Sequence, residues 1–140
     1  MRNLVFTRID DRLIHGQVVA AWLRAYDNVT HIMVIDDKVR QDPFMHEMFS
    51  LLVPAGITIE IRSVDEAIEK FRAGLEKPTM VIVKSPLTIK RLVDDGVEIP
   101  FVNIGGMGMT PGRKKLFQNI SSSPEENEIF RELVKKGVKV

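Results

Sequence analysis

The chain has 140 residues, 44% hydrophobic and 28% charged, with no cysteine. That size and balance suit one folded domain and exclude a disordered or collagen-like chain, a disulfide scaffold, a thiolate nucleophile and a cysteine-type zinc site. Lys and Arg number 20 against 19 Asp and Glu, and a formal charge of +1 excludes a strongly basic nucleic-acid surface as the default.

The first apolar run, Leu4-Val5-Phe6, predicts a strand. Val18, Val19, Trp22, Leu23 and Tyr26 then recur at helical spacing, with Trp22 as a core anchor. Ile32-Met33-Val34-Ile35 predicts a second strand. Asp42 and Pro43 are an N-cap and a first-turn proline for a helix carrying Phe44, Met48, Leu51 and Leu52. A third strand follows at Ile57–Ile61. Ser63 caps a helix over residues 64–71, with Glu66 completing a capping box and Gly74 ending it. Met80–Val83 is the fourth strand. Ser85-Pro86 opens a helix with Leu87, Ile89, Leu92 and Val93 that stops near Gly96. Phe101-Val102-Asn103-Ile104 is the fifth strand, and Ser123-Pro124 opens a last helix with Ile129, Phe130, Leu133 and Val134 before Gly137.

Several strands are apolar at successive positions, as strands covered on both faces are. With the strand–helix alternation this predicts an α/β fold: one open, mostly parallel twisted sheet with helices on both faces. Ligands of such sheets bind at the carboxyl ends of the strands. The segments that matter are therefore Arg8–Gly16, Asp36–Asp42, Lys84–Pro86 and Gly105–Gly112. No run reaches the ~18 apolar residues of a membrane span. The start shows no secretory h-region. A cytoplasmic domain is expected, with any membrane role passing through a partner.

The first of these segments, Arg8-Ile9-Asp10-Asp11-Arg12-Leu13-Ile14-His15-Gly16-Gln17, holds two arginines, two aspartates and a histidine. On a curled loop the two guanidiniums could converge near one imidazole. Guanidinium matches phosphate with a rigid donor fork. Neutral imidazole is nucleophilic near pH 7, and a following helix N-terminus favours an anion. These parts suit a phosphohistidine site, with Gly16 allowing close backbone approach and Asp10 orienting a group or balancing charge. The plainer alternative is a charged loop with a capping aspartate and a structural histidine.

The run from Arg8 to Val18 resembles the signature of the IIB component of the mannose/fructose/sorbose family of the sugar phosphotransferase system. Asp36-Asp37, Lys84-Ser85-Pro86, Asn103-Ile104-Gly105-Gly106 and Leu133–Val138 fall in that family's order, so the resemblance spans essentially the whole chain. It implies a cytoplasmic phosphoryl carrier in which His15 takes phosphate from a IIA phosphohistidine. His15 then passes it to a sugar bound by the membrane components IIC and IID. Arg12 and Arg8 would hold the phosphate, with Asp10 and Gly16 in support. No metal or cofactor is required, no nucleic acid is involved, and a homodimer is a possible state. Members usually continue past the position of Val140, so residues 1–140 are expected to form one IIB domain without the family's C-terminal tail.

The competing reading is a receiver-like signalling domain phosphorylated on Asp36 or Asp37, with Lys84 as partner. Its bland counterpart is a helix cap and a solvated turn. Gly105–Lys115 matches no nucleotide-binding pattern and is expected as a flexible turn bordering the site. Met107 and Met109 suit either a partner surface or ordinary packing. Arg113-Lys114-Lys115 suits a solvated run or a rim for an acidic partner. His31 and His46 are expected to be structural or exposed.

Overall fold

A computed structural model of the chain describes residues 3–13, 23, 25–26, 28–107, 114–117 and 120–140; at Gly106, residues 114–117 and Ile120 it describes the backbone alone. The elements are β1 (Leu4–Asp10), β2 (His31–Ile35), α1 (Asp37–Arg40), α2 (Pro43–Leu52), β3 (Thr58–Arg62) and α3 (Val64–Ala73) in the first half. The second half holds β4 (Thr79–Val83), α4 (Pro86–Asp94), β5 (Asn103–Gly106), β6 (Lys114–Phe117), β7 (Ile120–Ser122) and α5 (Pro124–Lys135). The expected helix through Val18, Val19 and Trp22 lies outside the described residues, although Leu23 and Tyr26 pack against the core.

Five strands form one sheet in the order β3-β2-β4-β1-β5, and every neighbouring pair is parallel. Parallel neighbours need a crossover, and the helices supply it. The central strand β4 is buried at all five positions, because helices cover it on both sides. Alternate residues split between two cores. Ile9, Met33, Ile35, Val81 and Val83 meet Ala67 and Phe71 of α3, Ile89 and Leu92 of α4, and Ile129 and Leu133 of α5. Phe6, Ile32, Val34, Met80 and Ile82 meet Phe49 of α2, and Phe6 stacks on Tyr26 with ring centroids 4.7 Å apart.

The helix starts follow their caps. Asp42 accepts from Phe44 N (3.0 Å) and Met45 N (3.4 Å), and Ser63 and Ser123 both close capping boxes. Ser85 makes no side-chain cap bond, so Pro86 alone marks the start of α4. The expected apolar stripe of α2 needs correction. Its inward face is Met45, Met48 and Phe49, whereas Phe44 and Leu51 are 68% and 86% exposed. The strand residues α2 covers accept three of its side chains, and the apolar residues left over point outward.

Two further differences concern segments expected as turns. Residues 37–40 form the short helix α1. Lys114–Phe117 pairs antiparallel with Ile120–Ser122, so part of the expected flexible turn is a hairpin. Ser121 N donates to Met107 O at 2.6 Å, which ties that hairpin to the end of β5. After α5, Lys139 bridges Phe101 in parallel.

Candidate functional site

β1 lies between β4 and β5, so its carboxyl end emerges among the other strand ends. Phe6, Arg8 and Asp10 point to one face, two residues apart. Arg8 is 7% exposed and Asp10 1% exposed. The Arg8 guanidinium donates through Nη1 to Asn103 Oδ1 (2.7 Å) and through Nη2 to Asp10 Oδ2 (3.4 Å). Burial pulls the Arg8 guanidinium below its ordinary value, and the Arg12 charge adds to this, while the charge and hydrogen bond of Asp10 push it back up. It stays cationic at neutral pH, as arginine does in proteins.

Asp10 also builds the loop. Its Oδ1 accepts from Arg12 N (3.1 Å) and Arg12 Nε (3.3 Å), and its carbonyl accepts from Leu13 N (2.9 Å). An aspartate bonding its own backbone two residues on is a turn-former. Leu13 takes a left-handed φ of 55° and is 2% exposed, which anchors the turn in the core. One buried carboxylate thus holds one arginine inward and a second at the surface. The Arg12 side chain is 57% exposed, and among the described residues its terminal nitrogens make no hydrogen bond. His15 and Gly16 lie outside the described residues.

The remaining candidates separate clearly. Asp36 Oδ1 caps α1 by accepting from Lys38 N (3.0 Å) and Val39 N (2.9 Å). Asp37 Oδ1 accepts from Val64 N at 2.8 Å and so caps α3. Both acids of the pair are engaged at helix starts, the arrangement of a cap and not of a receiver site. Met107 is fully buried, which decides for packing over a partner surface. His31 is wedged between Thr58 Oγ1 and Glu60 Oε2, each at 2.6 Å, at the amino end of β2. His46 is exposed on α2 and lines a hollow of about 810 Å³ with Arg40 and Glu66.

Residues 4–140 match the family described as the PTS system sorbose subfamily IIB component. The chain belongs to that family. It is 32% identical over 140 residues to the sorbose-specific EIIB component of Klebsiella pneumoniae, covering 99% of this chain and 85% of that protein. It is 33% identical over 137 residues to the mannose-specific EIIAB component of Escherichia coli K12, covering 95% of this chain and 42% of that longer protein. Among solved structures, the IIBSor domain of the sorbose permease from Klebsiella pneumoniae superposes with a TM-score of 0.89 at 31% identity, covering 96% of this chain and 83% of that one. The protein is thus a phosphotransferase component of the PTS, acting in phosphoryl transfer for sugar uptake. None of the helices among the described residues is long and apolar enough to cross a membrane.

Two contacts of this IIB chain escape sequence reasoning. Asn103 supplies the acceptor for Arg8. The pairing of β1 with β5 steps from Ile9↔Ile104 to Asp10↔Gly106, so Gly105 is an extra residue in a bulge. A Cβ on Gly105 would stand 2.2 Å from Arg8 Cζ, 2.3 Å from Nη2 and 2.4 Å from Nε. The available signal was the Gly105-Gly106 pair after a strand, which marks a bulge or a close backbone approach.

Proposed function

We propose that His15 is the phosphoryl carrier of this IIB, and that Arg12 and Arg8 hold the phosphate, with Asp10 and Gly16 in support. A IIA phosphohistidine donates: its P–N bond breaks as a new P–N bond forms on a His15 ring nitrogen. The phosphoryl group then passes to a hydroxyl of a sugar bound by IIC and IID: the P–N bond to His15 breaks as a P–O bond forms, and the hydroxyl proton leaves to the freed imidazole, another base or water. The chain works in the cytoplasm, with the IIA and membrane partners meeting the His15 face at different times. Such transfer depends mainly on positioning and on charge stabilisation of the equatorial oxygens.

The observation that carries this reading is the Asp10 turn. It fixes Arg12 by its Nε and backbone N, and leaves an exposed guanidinium fork three residues before His15. A donor fork so held is suited to a transferring phosphoryl group. The test is incubation with a phosphorylated IIA donor. One phosphate should add, lost in acid and retained in base. His15→Ala should abolish it, while His31→Ala and His46→Ala should keep it. A base-labile phosphate, or labelling that persists in His15→Ala, would overturn the assignment.

A further inference from the structure

We propose that Gly105 and Asn103 are positioning residues of the phosphoryl site, acting through Arg8. The inference rests on the reading of Arg8 as a phosphate-holding group. Arg8 and Asn103 are paired across β1 and β5, so their side chains share a face, and Arg8 Nη1 donates to Asn103 Oδ1 at 2.7 Å. One step further on, the bulge at Gly105 widens the strand beside the guanidinium. Three guanidinium atoms lie within 2.4 Å of where a Gly105 Cβ would be. The guanidinium therefore lies on bare backbone, and only a residue without a side chain leaves that space.

The role is separable from that of a structural glycine. Gly105 does not take a left-handed φ, so its conformation is open to alanine. The three nearest atoms that a new methyl would strike belong to the far end of the Arg8 side chain, not to backbone. Gly105→Ala should therefore evict the guanidinium and leave the sheet standing. Asp10 would lose its inner cation, and the donor aimed by Asn103 would be displaced.

The experiment is a double-mutant cycle on phosphoryl uptake from phosphorylated IIA, with the Arg8 Nε–H resonance followed by NMR. Arg8→Ala and Gly105→Ala should each slow uptake by on the order of 10²-fold, the usual effect of losing one preorganised donor. The double variant should be no slower than Arg8→Ala alone, because Gly105 acts only through Arg8. The Arg8 Nε–H, buried in the folded chain, should shift and exchange more rapidly in Gly105→Ala. Should Gly105→Ala fold poorly, Asn103→Ala serves in its place, with about a tenfold loss for one charge-assisted hydrogen bond, again absent in the Arg8→Ala background. Wild-type uptake in Gly105→Ala, or losses that multiply in the double variant, would overturn the inference while leaving the His15 carrier intact. Wild-type uptake in Arg8→Ala would overturn both the Arg8 role and this inference. Failure of the carrier reading itself shows separately, as labelling of His15→Ala.

Discussion

At the carboxyl end of β1, Arg8 and Arg12 meet around Asp10; along β3, His31, Arg62 and Lys70 meet around Glu60. The ingredients are alike, but the two groups are arranged differently. Glu60 takes Arg62 Nε at 2.9 Å and His31 Nε2 at 2.6 Å, with Lys70 at 3.8 Å, so side chains from β2, β3 and α3 all turn toward one carboxylate. Burial alone would raise the Glu60 carboxyl, but the hydrogen bonds from Arg62 and His31 and the charges of His31 and Lys70 outweigh it and hold it below the ordinary value. Asp10 instead bonds one cation from the core side and grips the second by its stem side, leaving that fork outward. A carboxylate that binds elements together engages its partners fully; one that builds a turn orients a cation and leaves its far end outward.

The largest effect is expected where the comparison is broken at Asp10. Asp10→Asn removes the carboxylate that pairs with the buried Arg8 charge at 3.4 Å. Removing one partner of a buried pair costs about 3–5 kcal/mol. Urea unfolding should show that loss, and phosphoryl uptake should fall with it. Stability within about 0.5 kcal/mol of wild type, the range of ordinary surface changes, would mean that Asp10 is not the hub.

Arg12→Ala should separate function from fold. The side chain is 57% exposed, so stability should stay within about 0.5 kcal/mol of wild type. Uptake should slow by about 10²–10³. Arg12→Lys should recover only part of the rate, because ammonium lacks the fork. Uptake at the wild-type rate in Arg12→Ala would remove Arg12 from the site.

Glu60→Gln sharpens the contrast from the other side. Loss of charge-assisted hydrogen bonds from Arg62 and His31 should cost about 1–2 kcal/mol of stability by denaturant titration. Uptake should be unchanged, since this cluster lies along β3. A slowed transfer in a folded Glu60→Gln protein would contradict the division between the two clusters.

The smallest effect concerns pH. The hydrogen bonds from Arg40 and from the Ser63 backbone hold the Glu66 carboxyl at about 2, below its ordinary 4.5. The folded state thus favours the carboxylate. Its contribution is fully present above about pH 4.5 and is lost as pH falls toward 2. Glu66 is 38% exposed, so solvent screening leaves only a few tenths of a kcal/mol. The gap in Tm between wild type and Glu66→Gln should be visible at pH 6 and should close as pH approaches 2. A gap of equal size at both ends would show that the ion pair contributes nothing through its charge.

Most of the fold was legible from local pattern. Val- and Ile-rich runs at even spacing, Asp42-Pro43, and the Ser63 and Ser123 capping boxes depend on residues within one turn of each other; the caps appear where the pattern places them, and of the strands the fifth is shifted, from the expected 101–104 to Asn103–Gly106. The Asp10 turn is local too, since the carboxylate reaches only two residues along the chain. The outward face of α2 was not legible, because which apolar residues of a helix are covered depends on the surface it lands on. Nor was the β6–β7 hairpin, whose strands are four and three residues long. Short runs of that kind carry too little periodicity to stand out from a turn.

By itself, then, the sequence determined the parallel α/β class, the starts of α2, α3, α4 and α5, and the run of Arg8, Asp10, Arg12 and His15 that begins in β1. Only the tertiary structure decided that the two arginines differ. Arg8 is drawn inward because β5 brings Asn103, 95 residues away, to within 2.7 Å of it and offers the bare backbone of Gly105 beside it. Arg12, four residues further on, meets no second strand among the described residues and stays at the surface. Side chains near in sequence are sorted by neighbours far from them, and pairing across a sheet is where such distant neighbours become fixed.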